Sequence, residues 1–273
     1  MSAEPLNNTD DQFYNNAAKY WSDVPPTVDG MLGGFGYISQ TDIKSSKMLL
    51  KHLFNAKNPP GKEYALDCGA GIGRISKFLL TDCFEKVDMV EQNKDFLETA
   101  KIYLGLKISK IANFYPIGLQ NFKPEPEKYD VIWIQWVIGH LTNKDVIPFL
   151  IACRKGLKKN GVIVLKENIT STDEIEKDEL DSSITRPMFM FHQLFEKAKL
   201  SCYRQLKQHN FPKGLYSIYM FVLRPFENHP HDNSGEENLR NGICANRRES
   251  NNVTDLNFSS NTNTDITYNN CNF

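Results

Sequence analysis

The sequence predicts a doubly wound α/β sheet that ends in an antiparallel hairpin, and three observations predict it. Short apolar runs near 64–68, 86–91, 112–118, 129–136 and 161–167 alternate with helical patterns near 73–80, 93–104 and 145–158, the order of a parallel sheet with crossover helices. The first apolar run breaks directly into a glycine loop, Asp67-Cys68-Gly69-Ala70-Gly71-Ile72-Gly73-Arg74. After a helical stretch from Arg186 to Leu200, the runs Ser201 to Asn210 and Leu215 to Arg224 are joined by the turn-like Phe211-Pro212-Lys213-Gly214, which reads as a hairpin.

The loop between the first strand and its helix marks a nucleotide-type pocket, because glycines clear side chains from a backbone that a ligand must approach and the helix start offers amide donors. A dinucleotide fingerprint places its third glycine where this chain has Arg74; here that glycine comes one residue early, at Gly73. The resulting G-x-G-x-G form suits S-adenosyl-L-methionine, and Arg74 suits the carboxylate of that cofactor, which a guanidinium grips with two hydrogen bonds. Glu91 ends the second strand about 20 residues past the glycines, where an acid receives ribose hydroxyls. A parallel sheet finished by an antiparallel hairpin is the pattern of the seven-stranded class I methyltransferases, whereas a plain dinucleotide fold continues with parallel strands.

The 273 residues, 40% hydrophobic and 24% charged, bury one large core without disulfide staples. We read residues 1–225 as one domain that carries an N-terminal helical or lid extension, and residues 226–273, rich in asparagine, serine and threonine, as a disordered tail. A net charge of −1 gives no global attraction for nucleic acid. Six scattered cysteines without a C-x-x-C pair suggest neither a metal site nor a disulfide framework. No signal-like start and no membrane-length apolar run are present, so the chain is expected to be soluble and intracellular.

Ligands of open α/β sheets sit past the carboxyl ends of the strands, which points to Asp67, Glu91, Gln120, Gln135 and Asn168. In Asp130-Val131-Ile132-Trp133-Ile134-Gln135-Trp136-Val137-Ile138-Gly139-His140, Trp133 and Trp136 fall on opposite faces of a regular strand; Trp136, past the strand end, is the expected pocket wall and Trp133 the expected core residue. His140 at a helix start is by itself more often structural than catalytic. The acid run Asp173, Glu174, Glu176, Asp178, Glu179, Asp181 reads as a solvated loop at the pocket mouth that favours a cationic substrate. The arm Tyr20 to Gly36, with its prolines, aromatics and glycines, suits a lid.

Four segments, Pro25-Pro26-Thr27-Val28-Asp29-Gly30-Met31-Leu32-Gly33-Gly34, Leu66 to Arg74, Asp130 to Leu141 and Leu180-Asp181-Ser182-Ser183, resemble the eukaryotic protein α-N-terminal methyltransferases, from about Phe13 to Arg224. The resemblance implies transfer of methyl groups from S-adenosyl-L-methionine to the free α-amine of proteins beginning X-Pro-Lys, ribosomal and chromatin-associated proteins among them, by a monomer of the nucleus and cytoplasm. It implies that Gly69, Arg74, Glu91, Leu119, Gln120 and Gln135 bind the cofactor. Leu32, Trp136, Asn168, Asp178, Asp181, Ser183, Leu215 and Tyr216 would line the peptide channel, with Asp181 and His140 the candidate proton acceptors and Asn168 orienting the amine. The chain departs from the family pattern at Glu91, where an aspartate is expected, and at Gly214, where an acid is expected that would grip the substrate lysine. The alternatives are a small-molecule or nucleobase methyltransferase, which the Ile134-Gln135-Trp136-Val137 sequence disfavours for lack of an Asn/Asp-Pro-Pro-Tyr turn, and a cofactor-binding scaffold without catalysis.

Overall fold

The computed structural model of the chain describes residues 9–226; the tail reading, apart from Phe226, lies outside the described residues, as do Cys244 and Cys271. Seven strands form one sheet: β1 (Tyr64–Cys68), β2 (Lys86–Val90), β3 (Ile111–Tyr115), β4 (Tyr129–Gln135), β5 (Leu157–Ile169), β8 (Leu200–Lys207) and β9 (Ser217–Pro225). Their order is β3-β2-β1-β4-β5-β9-β8, parallel as far as β5 and antiparallel at β9 and β8. This is the class I methyltransferase fold. The strand order reverses between β1 and β4, and that switch point opens the crevice in which the site lies.

Strand periodicity divides the core into two layers. Leu66, Ile132, Ile134, Ile163, Leu165, Phe221 and Leu223 face one layer, which α6 (Asn143–Gly156) and α7 (Met188–Lys197) cover with Phe149, Leu150, Phe191 and Phe195. Ala65, Val131, Trp133, Val162, Val164 and Val222 face the other, covered by α3 (Ser39–Phe54), by α4 (Thr81–Cys83) with the wider-wound turn Ser76–Leu80 before it, and by α5 (Lys94–Tyr103). Trp133 is fully buried in this second layer. Ahead of α3 run α1 (Thr9–Asp23) and the short α2 (Val28–Met31), which Thr27 caps by accepting a bond from the Gly30 amide.

Several boundaries differ from the sequence reading; the fifth strand runs over Leu157–Ile169 rather than 161–167, and the helix before it over Asn143–Gly156 rather than 145–158. The third strand stops at Tyr115, because Pro116 has no amide to continue the ladder. The helix after the glycine loop runs on to Cys83. The acid run, read as a loop, contains a two-stranded sheet of β6 (Glu176–Asp178) and β7 (Ser183–Thr185), with Asp178 opposite Ser183. The sequence reading also assigned no helix to 39–54, although Ile43, Leu49, Leu50 and Leu53 fall on one helical face and are buried.

Two buried charges fix the end of β5. Arg186, fully buried, donates from Nη1 to the Ile138 carbonyl at 3.1 Å and from Nη2 to that of Leu141 at 2.5 Å, so it braces the turn after β4. Glu167 accepts from the Asn168 amide at 2.9 Å, while its second oxygen has no partner among the described residues. Burial pushes the Glu167 carboxyl up from 4.5 to about 7, against the pull of the Asn168 amide and the Arg186 charge. The folded state thus holds this proton more tightly than the unfolded state. Its stabilising contribution is complete below pH 4.5 and is lost as pH rises through 7. Glu167→Gln should gain on the parent protein over that window by roughly 3 kcal/mol, read from urea denaturation at the two ends.

Candidate active site

A cleft of about 990 Å³, part of it open to solvent, lies over the carboxyl ends of β1, β2 and β4. Its floor is the glycine loop. Gly69, with φ of +67°, passes so close to Val137 that a Cβ there would strike the valine side chain; this glycine is set by the approach of the β4 turn as much as by a ligand. Gly71, with φ of +54°, aims its amide at Glu91 Oε2, 3.0 Å away, and the Asn93 amide meets Oε1 at 2.9 Å. Burial raises the Glu91 carboxyl above its ordinary range, and these amides counter it. Beneath the loop, Asp67 accepts from the Ser76 amide and hydroxyl at 3.0 and 2.7 Å. It is a buried brace, raised by burial to about 6.

Of the residues the family pattern assigns to the cofactor, Gly69, Arg74, Glu91, Leu119, Gln120 and Gln135 all line this cleft. Arg74 Nη1 bonds Asp42 Oδ2 at 2.7 Å, while Nε and Nη2 make no hydrogen bond among the described residues; the guanidinium lies 5.6 Å from the Trp136 ring. Gln135 is committed within the protein, its Oε1 accepting from Trp133 Nε1 at 2.9 Å and its Nε2 donating to Asp42 Oδ1 at 2.9 Å. Lys166, fully buried, reaches the same Asp42 oxygen at 2.5 Å. Burial pushes the Asp42 carboxyl up, but Lys166 and then Arg74 pull it further down, below the usual carboxylate range. The donor set suits S-adenosyl-L-methionine: free guanidinium donors for its carboxylate, an acid that receives ribose hydroxyls, and an apolar wall of Val90, Phe96, Ile117 and Leu119.

Of the residues assigned to the peptide, Trp136 lines this cleft and the others stand outside it. Asn168 stands at the end of β5, Asp178 and Ser183 pair across β6 and β7, and Tyr216 donates to Glu176 Oε2 at 2.5 Å from the loop before β9, with Leu215 next to it. Asp181 Oδ1 is buried without a partner among the described residues. Leu32 is buried at the end of α2 and does not line the cleft. Gly214 adopts φ of +91°, with open space where a side chain would stand.

Trp136 and His140 join the two groups. Trp136 leaves β4 with a left-handed φ of +51°, lines the cleft, and faces Phe211 at 6.5 Å between centroids. Its indole Nε1 is buried with no partner among the described residues. His140 also lines the cleft; burial lowers its pKa, and Asp181, the Ser182 carbonyl and Asp178 work against that.

Sequence reasoning missed Asp42 and the part of the α1 wall that Tyr14 and Ala17 supply; Trp21, which shares their helical face, lies in the arm read as a lid, whose first residues belong to α1. Lys166 did carry a signal, being a charge inside the apolar run of a central strand, where only a buried partner makes it tolerable. Asp42→Asn should loosen Arg74 and leave Lys166 unpaired, weakening S-adenosyl-L-methionine binding about tenfold by calorimetry and lowering stability by roughly 3 kcal/mol.

Comparison with known proteins bears on this geometry. A Bos taurus protein, N-terminal Xaa-Pro-Lys N-methyltransferase 1, is 50% identical over 214 residues, covering 78% of this chain and 96% of that protein. A Xenopus laevis relative, N-terminal Xaa-Pro-Lys N-methyltransferase 1-A, is 48% identical over 226 residues, covering 82% and 100%. Among solved structures, a SAM-dependent methyltransferase of Leishmania major superposes with a TM-score of 0.73 at 34% identity, covering 78% of this chain and 83% of that one. Residues 9–224 match the model of the AdoMet dependent proline di-methyltransferases, and the chain belongs to that family of S-adenosyl-L-methionine-dependent enzymes.

Proposed function

We propose that this enzyme transfers methyl groups from S-adenosyl-L-methionine to the free α-amine of proteins that begin X-Pro-Lys once the initiator methionine is gone. The observation that carries the reading is the left-handed exit of Trp136 from β4, which stands an aromatic ring between Arg74 on the cofactor side and the loop Phe211 to Tyr216 on the other. The names of the Bos taurus and Xenopus laevis relatives support the same substrate. We place the reaction in the nucleus and cytoplasm, carried out by a monomer.

S-Adenosyl-L-methionine supplies a methyl group on a sulfonium, open to in-line attack by a neutral amine. Arg74, bonded through Nη1 to Asp42, would hold the carboxylate with its remaining donors, and Glu91, fixed by the Gly71 amide, would receive the ribose hydroxyls. A peptide that starts X-Pro is extended, lacks the amide donor at its second residue, and packs flat on the Trp136 ring. The acids of residues 173–181, whose hairpin carries Lys177 as its lone base, draw the lysine that follows.

Deprotonation is a small barrier. An α-amine of pKa 7.7–8.0 is neutral in roughly a tenth of molecules at pH 7, so baring its lone pair costs about 1 kcal/mol. Asp181 favours the ammonium on docking and then accepts its proton at the unpartnered Oδ1, an N–H bond breaking as an O–H bond forms. Asn168 orients the neutral nitrogen, so positioning supplies most of the rate.

Two measurements test this. Mass spectrometry after incubation with S-adenosyl-L-methionine should show methylation of an X-Pro-Lys peptide and none of its X-Gly-Lys counterpart or of a metabolite panel; equal methylation of both peptides removes Trp136 from its role. Asp181→Asn should lower kcat by about a hundredfold with cofactor affinity unchanged, and equal losses in both would remove Asp181 from the proton transfer.

A further inference from the structure

We propose that Trp21 is a positioning residue that locks His140 in one neutral form, with the proton on Nδ1 and the Nε2 lone pair engaged by the indole. The Trp21 indole N–H lies 3.0 Å from His140 Nε2, and His140 Nδ1 lies 3.4 Å from the Ser182 carbonyl oxygen. An indole nitrogen only donates and a carbonyl oxygen only accepts, so both contacts are satisfied by one tautomer and by no other protonation state. The rings meet edge to face, 5.7 Å apart at 87°.

Trp21 is itself held on the cofactor side. Its ring packs against Phe96 at 6.5 Å, and its carbonyl accepts from Asn93 Nδ2 at 3.4 Å; the Asn93 amide in turn bonds Glu91. One residue of α1 therefore spans the ribose-facing acid and the histidine beside the acceptor group. Asp178 and Asp181, on the β6–β7 hairpin, are the charged groups that favour a protonated ring. Beneath the turn, Arg186 is committed to the Ile138 and Leu141 carbonyls, and on the α1 side Tyr14 hydrogen-bonds Asp145. Burial outweighs the two aspartates and lowers the histidine, and the indole bond acts in the same direction, because protonating Nε2 would set two N–H groups against each other.

This inference rests on the proposed docking of an α-ammonium beside Asp181. A neutral His140 does not repel that ammonium, and with both nitrogens engaged it does not compete with Asp181 for the proton. A ring freed at Nε2 would protonate at higher pH and drive the cationic amine away.

Nitrogen-15 NMR of the full chain labelled at histidine, with His140 assigned by comparison with His140→Gln, reads the tautomer directly. The parent protein should show Nδ1–H and a titration midpoint below that of ordinary histidine. Trp21→Phe, which keeps an aromatic ring without the donor, should move the midpoint up by about half a unit to one unit. The acidic limb of kcat/KM for an X-Pro-Lys peptide should move with it. An Nε2–H tautomer in the parent, or an unmoved midpoint in Trp21→Phe, overturns the proposal. If melting shows that Trp21→Phe does not fold, the parent tautomer alone decides. Should the peptide not be methylated, the NMR arm still reports the lock, so failure of the substrate reading is told apart from failure of this one.

Discussion

One buried carboxylate, that of Asp42, must be neutralised inside the protein, and the way this is done decides where the site stands. Arg74 comes to it from the end of the glycine loop, Gln135 from the last position of β4 and Lys166 from the middle of β5, so one atom pair pins α3 to three elements of the sheet. An unpaired charge at that depth would be intolerable, which makes the arrangement all-or-nothing. With Nη1 drawn back to Asp42, Arg74 keeps its remaining donors for the cleft. Through Asp42, α3 thereby sets the position of an arginine that lines the cleft.

The two halves of the site make opposite electrostatic demands. One side of the site presents the Arg74 cation, and the other the carboxylates of Asp178 and Asp181. Without a partition these groups would neutralise each other. Trp136 provides it, and a strand residue provides it only by leaving the ladder: its left-handed backbone swings the ring out of the β4 plane into the space between Arg74 and Phe211. The bond from its amide to the Lys166 carbonyl, 3.1 Å, holds that strained turn in place.

The features legible in the sequence were those encoded locally. The glycine loop, the acid that follows it at a fixed interval and the seven strands with their terminal hairpin each occupy a short window, and short apolar runs mark the strands off from the helices. Trp136 was separable from Trp133 because the side chains of a strand alternate. Asp42 and the bond of Trp21 to His140 were not legible, since the partners lie 93 residues away at Gln135 and 119 away at His140, and neither window carries any mark of the other. The β6–β7 hairpin was hidden for a different reason. Its strands are three residues long and β6, Glu176-Lys177-Asp178, is all charged, so no apolar pattern marks the pairing.

Tyr14 donates to Asp145 across 131 positions and Trp21 to His140 across 119, so although α1 meets α5 through Trp21 and Phe96, these two side-chain bonds cannot form until the turn after β4 and the start of α6 have been translated. Closing loops of that length is slow compared with forming local contacts. The helix that walls the cleft thus completes its docking only after the turn beyond β4 has been made.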